Sequence, residues 1–105
     1  MELSPQYEDR AIGALIGTAV GDALGAGYEF DNFVDPADID MLPGKLTGRP
    51  AGHWTDDTDM AMAIALAAVE HGTLTTEAAH TRVAENFLSW FASHPPDVGI
   101  QTRAV

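Results

Sequence analysis

The stretch Gly52-His53-Trp54-Thr55-Asp56-Asp57-Thr58-Asp59 gathers three carboxylates and two hydroxyls at the start of the most apolar helical segment in the chain. Hard oxygen donors suit magnesium, manganese or calcium better than zinc. Like charges on neighbouring residues repel, and a bound cation or strong hydrogen bonds relieve the repulsion. Asp56 and Asp57 are adjacent, so their side chains diverge. One ion can take the first carboxylate and a second ion the other, with Thr55 adding a hydroxyl or backbone oxygen. The same residue types also suit a helix N-terminus, where Asp and Thr are favoured by hydrogen bonding and by the dipole. Capping needs one such residue, whereas Trp54 to Asp59 supplies five. On residue types alone the metal and capping readings stand level.

Other polar residues carry weaker signals. Glu29 closes Gly21-Asp22-Ala23-Leu24-Gly25-Ala26-Gly27-Tyr28-Glu29, and a lone Glu after a helix is ordinarily solvated. Asp22 lies among apolar residues, so it must pair or face a polar cavity, which makes it a candidate substrate contact. Asp35, Asp38 and Asp40 lack the glycine and terminal glutamate of a calcium loop and read as a solvated acidic loop. His53, His71, His80 and His94 show no metal-binding spacing such as H-E-x-x-H. They are expected at the surface, His53 excepted because of its neighbours.

The elements that position these residues are helical. Ile12, Leu15, Ile16, Ala19, Val20, Ala23 and Leu24 recur at spacings of three and four, which predicts a helix from about Gln6 to about Gly25. Gly13, Gly17, Gly21 and Gly25 form a second row on it. Each costs about 1 kcal/mol of helix propensity against Ala, so the row predicts close approach of a neighbouring helix or ligand. From Phe30 to Trp54 the prolines and glycines predict a long loop. Met60 to Val69 is apolar on every face, so a helix from Thr58 to about His71, closed by Gly72, is expected to be buried all round. Thr75 is the expected cap of a third helix to about Ala92, with Val83, Phe87, Trp90 and Phe91 on one side and Pro95-Pro96 ending it. Asp97 to Thr102 opens a fourth element. An all-round apolar helix needs more neighbours than these, so the chain is expected to be incomplete as a stable unit. Its exposed apolar helix faces are candidates for self-association.

Bulk properties narrow the function classes. The chain has 105 residues, enough for one small domain, and a formal net charge of -11. Duplex nucleic acid needs a basic stripe, and five Lys plus Arg against sixteen Asp plus Glu do not make one. An anionic membrane surface is disfavoured for the same reason. A membrane span through the glycine row is not expected, because the uncharged run from Ala11 stops at Asp22. With no cysteine, disulfides, thiolate zinc sites and Cys nucleophiles are excluded. The opening Met1-Glu2-Leu3-Ser4-Pro5 is acidic and polar, unlike a signal peptide, and the expected location is cytoplasmic.

Several blocks together resemble the N-terminal part of the ADP-ribosylglycohydrolase family. They are Arg10-Ala11-Ile12-Gly13-Ala14-Leu15-Ile16-Gly17, then Gly21-Asp22-Ala23-Leu24-Gly25 with Glu29-Phe30, then Trp54-Thr55-Asp56-Asp57-Thr58, then Trp90 and Pro96-Asp97-Val98-Gly99-Ile100-Gln101-Thr102. They stand in family order over nearly the whole chain. The resemblance implies an all-α fold and a pair of magnesium or manganese ions in a cleft. It implies that Thr55, Asp56, Asp57 and Glu29 contribute to the metal site, with Asp56, Asp57 and Glu29 serving catalysis. It also implies that Asp97 and Gly99 contact ADP-ribose or its leaving group. The implied reaction is hydrolysis of the bond joining ADP-ribose to an acceptor such as arginine or serine in a protein. The alternative is a catalytically inactive relative that binds ADP-ribose or serves as a structural protein. Family chains are several times longer and carry a second, Asp-x-Asp-Thr-type metal block. On that comparison the 105 residues are expected to be the N-terminal portion of a single domain, inactive alone.

Overall fold

In the computed structural model, residues 4–30 and 34–105 are described. Residues 1–3, in the stretch read as unlike a signal peptide, and residues 31–33, in the predicted loop, lie outside the described residues. All regular elements among the described residues are helical, as the all-α expectation requires. The chain divides into two compact units, Met1–Trp54 and Thr55–Val105.

The first unit is built on α1, Pro5–Gly25. Pro5 stands in its first turn, where a missing N–H costs nothing, and Ser4 before it is extended. A 3-10 turn, Ala26–Tyr28, continues the helix, and the Ala26 N–H donates to the Asp22 carbonyl. Ala23, Ala26 and Gly27 are buried, but Ile12, Ile16 and Val20 are exposed. The glycine row departs from expectation. Among the described residues, a Cβ added at Gly13, Gly17, Gly21 or Gly25 would meet nothing within 4 Å. The close approach that would offset their helix cost is therefore not made by the described residues. With its 3-10 turn, α1 spans 24 residues and is long and apolar enough to cross a membrane by length and composition alone. This corrects the argument from the short uncharged run, although core helices and N-terminal signal sequences pass the same test, and Glu8, Asp9, Arg10 and Asp22 lie within the segment.

The loop after α1 is ordered by local donors. Tyr28 is the main post: its hydroxyl donates to the Asp40 carbonyl at 2.9 Å and accepts the Asp40 N–H at 2.8 Å. Gly27 is required there, because a Cβ would lie 2.7 Å from Leu42 Cβ and 3.2 Å from the Leu42 carbonyl oxygen. Asp35 accepts the Ala37 N–H at 3.0 Å and so caps the short 3-10 turn Pro36–Asp38.

The second unit is an antiparallel helix pair with a short tail. Thr55 is extended and precedes α2, Asp56–His71, which starts two residues earlier than predicted. Gly72 closes α2 at φ 68°, a left-handed conformation that glycine adopts without strain, and its N–H donates to the Ala68 carbonyl at 2.8 Å. Thr76, not Thr75, caps α3, Glu77–Ala92, by accepting the Ala79 N–H. Thr75 is engaged with the Thr73 hydroxyl instead. The short α4 spans Ile100–Arg103. α2 packs on α3 through small residues, with Ala63, Ala67 and Ala79 buried. Polar links flank that seam: Asn86 Nδ2 donates to the Ala63 carbonyl at 2.9 Å, and Arg82 Nε bonds Glu70 at 2.7 Å.

An apolar helix such as α2 needs neighbours all round, and the expectation that this chain would not supply them all is met. Leu66 is 55% exposed and Val69 82% exposed. One helix partner covers one stripe of a helix, and the remaining apolar faces stay in solvent.

Two measurements test this account. Tyr28→Phe removes both bonds to Asp40, each worth about 1 kcal/mol net. The Asp40 amide should then lose its protection from hydrogen exchange while α2 amides keep theirs. Ala67→Leu puts three extra carbons into a fully buried position. It should lower stability by about 1–3 kcal/mol in a urea melt.

Candidate metal centre

The first turn of α2 contains Asp56, Asp57 and Asp59. Helix N-termini favour negative charge, but three carboxylates in one turn exceed what the dipole needs. Thr55 is buried, 1% exposed, and makes no side-chain capping bond to the helix. Its side chain bonds the Asp56 carboxylate instead. Capping by Thr55, the simpler reading of this turn, is thus not what its hydroxyl does.

The segment after α3 returns to this turn. The Gly99 N–H donates to Asp56 Oδ2 at 3.3 Å, joining residues 43 apart in the chain. A Cβ on Gly99 would sit 3.9 Å from Asp56 Oδ2 and 3.6 Å from Thr102 Oγ1, which is ordinary contact, so space alone does not require glycine. Asp97 is half-buried, with Oδ2 fully covered, and is near enough to Asp56 to act on it electrostatically. Asp57 is exposed. The structure thus brings Thr55, Asp56, Asp57, Asp97 and Gly99 together.

Glu29 and Asp22 belong to the first unit and are described within it. Glu29 is exposed and directly follows the 3-10 turn. Asp22 is half-buried. His53 is exposed and lies with Arg49, Gly52 and Trp54 around a small surface hollow. His80 bonds the Leu74 carbonyl through Nε2 at 2.7 Å, a structural role.

The electrostatics of the cluster show in Asp56. Burial pushes its carboxyl above the ordinary 3.8, and the charges of Asp57 and Asp97 push it further. The Gly99 N–H and the Thr55 side chain pull the other way without restoring it. A divalent cation would relieve this strain, and the donors are all oxygens, so the set suits magnesium or manganese in chemistry. In number it falls short. Among the described residues, no three His, Asp or Glu side chains form a group able to hold an ion.

Two features were not anticipated from the sequence. Thr58, within the first turn itself, is buried, 1% exposed. Asp59 accepts the indole N–H of Trp90 at 3.0 Å. Asp59 stood in the opening acidic stretch and Trp90 on the apolar side of α3, but no spacing rule links residues 31 apart.

The chain belongs to the ADP-ribosylglycohydrolase family, whose sequence profile matches residues 3–105. It is 40% identical over 105 residues to the ADP-ribosyl-[dinitrogen reductase] glycohydrolase of Rhodospirillum rubrum, covering 94% of this chain and 34% of that protein. A putative ADP-ribosyl glycohydrolase of Acanthamoeba polyphaga mimivirus is 36% identical over 110 residues, covering 96% of this chain and 32% of that protein. An ADP-ribosylarginine hydrolase of Pseudomonas putida is 44% identical over 75 residues, covering 67% of this chain and 19% of that protein. The chain therefore spans about a third or less of the length of these relatives. No solved structure matches it.

The charge cluster makes a pH prediction. A carboxyl whose pKa is raised by folding binds its proton more tightly in the folded chain. Its contribution to stability is present below pH 3.8 and is lost as pH climbs through the raised value. Asp57→Asn removes one like charge, so the Asp56 midpoint should fall back toward 3.8 in a carboxyl-carbon NMR titration without metal. An unmoved midpoint would leave burial and Asp97 as the causes.

Proposed function

We propose that the chain is the N-terminal portion of a single-domain, metal-dependent ADP-ribosyl hydrolase, acting in the cytoplasm on ADP-ribose attached to protein. What carries this reading is the family match together with the Asp56–Gly99 hydrogen bond. That bond draws the Thr-Asp-Asp segment and the Asp-x-Gly segment, two blocks of the family resemblance, to one place in the second unit. A relative named as an ADP-ribosylarginine hydrolase supports arginine as the acceptor, and one named for ADP-ribosylated dinitrogen reductase supports a protein substrate.

In this reading Thr55, Asp56 and Asp57 would hold magnesium or manganese, and Glu29 is a further ligand candidate by the family resemblance. Divalent ions held there would supply positive charge to stabilise the charge developing at the anomeric carbon and an anchor for the ribose hydroxyls. Asp56, Asp57 and Glu29 are the catalytic candidates, and one of them takes a proton from the attacking water. Water bonds to the anomeric carbon as the bond to the acceptor breaks, and the acceptor departs with a proton. Gly99 holds Asp56 in place through its backbone N–H and lies with Asp97 beside the substrate; Asp22 is a separate candidate for substrate contact. Nucleic acid and membrane are not partners in this reading, given the net charge of -11. The exposed apolar residues of α1 and α2 are the surfaces for self-association or for packing against further chain.

The test is made on the intact protein with an ADP-ribosylated arginine peptide and manganese. Asp56→Ala and Asp57→Ala should each abolish ADP-ribose release while the helical circular dichroism stays. Unchanged turnover in either variant removes that residue's catalytic assignment. A wild-type protein that binds ADP-ribose and manganese in calorimetry without turnover is the inactive relative instead.

A further inference from the structure

Asp59 is the third carboxylate in the first turn of α2 and follows Asp56 by three residues. Positions three apart share a face of a helix, with Cβ atoms about 5–6 Å apart. An unrestrained Asp59 would therefore crowd Asp56, adding repulsion or competing for the same cation. Instead its Oδ2 accepts the Trp90 indole N–H at 3.0 Å. Trp90 lies in the last turn of α3, and its ring lines an apolar groove with Met60, Phe87 and Phe91. A packed indole has one polar atom to satisfy, and an ionised carboxylate makes a stronger acceptor than a neutral group. The two other links from α3 reach Ala63 and Glu70, further along α2. Among these three, the Trp90 bond is the one that ties α3 to the turn bearing Asp56 and Asp57.

We propose that Trp90 is a positioning residue for the cation site. By holding Asp59 against α3, it withdraws the third carboxylate from Asp56 and fixes the rotation of the turn that presents Asp56 and Asp57. Asp59 is then an acceptor for the indole and not a metal ligand. The inference rests on the proposed metal role of Asp56 and Asp57.

Manganese calorimetry on the intact protein tests it, with wild type compared against Trp90→Phe, Asp59→Ala, Asp59→Asn and the Trp90→Phe/Asp59→Ala pair. Trp90→Phe and Asp59→Ala should each weaken binding on the order of tenfold, the scale found when a group orienting a metal ligand is lost. The double variant should be no weaker than either single one, because both remove the same bond. Asp59→Asn keeps a carbonyl oxygen for the indole N–H and should recover most of the affinity. Without metal, the Trp90 indole N–H resonance should move in Asp59→Ala and stay near its place in Asp59→Asn, a readout independent of metal loading. Wild-type affinity in Trp90→Phe overturns the inference and leaves the metal reading intact. Asp59→Asn as weak as Asp59→Ala makes Asp59 a ligand and likewise overturns it. A wild-type protein that binds no manganese overturns the metal reading, and this inference with it.

Discussion

Negative charge concentrated in one turn of helix is the constraint on which the second unit depends. Asp56, Asp57 and Asp59 share the start of α2, and Asp97 is brought up beside them. The helix dipole offsets only part of this. Neutral donors are spent on the rest: the Thr55 side chain and the Gly99 N–H on Asp56, and the Trp90 indole on Asp59. Each of these donors needs a particular backbone path. Thr55 must be extended and buried, the segment after α3 must double back, and α3 must run antiparallel to α2. The Asp56 carboxyl nevertheless stays above its ordinary value, so the donors moderate the charge without neutralising it.

The packing that makes those paths possible is thin. The α2–α3 seam is formed by alanines, which let helices approach closely but bury little area each. Larger apolar residues, Leu66 and Val69 on α2 and Ile12, Ile16 and Val20 on α1, remain exposed. The polar bonds from Asn86, Arg82 and Trp90 therefore matter more to the register of the helix pair than they would beside a deep core. The Arg82–Glu70 pair is solvent-exposed and adds little stability by itself.

Much of the secondary structure was legible because helical periodicity and its stop signals are local. The run from Ile12 to Leu24 predicted α1 to within a residue, and Gly72 and Pro95-Pro96 marked where α2 and α3 end. Boundaries failed where one residue type serves two roles. Thr75 and Thr76 are equally good caps by type, and a bond between the Thr73 and Thr75 hydroxyls decides between them. The apolar run places the start of α2 at Thr58, whereas the helix includes the acidic residues Asp56 and Asp57, whose charge a helix N-terminus favours. One inference from pattern to packing is not met: the glycine row predicts a close neighbour, and the described residues do not supply one. The all-round apolar surface of α2 predicts more neighbours than this chain has, and its exposed Leu66 and Val69 agree with that.

By itself the sequence determined the helices, the loop between them, the oxygen-only chemistry of the acidic turn and the family. All of these are properties of residue type and of spacing along the chain. Only the tertiary structure decided which donor each carboxylate receives. Gly99 reaches Asp56 across 43 residues and Trp90 reaches Asp59 across 31. Such pairings depend on how helices turn back on one another, and no local pattern records that.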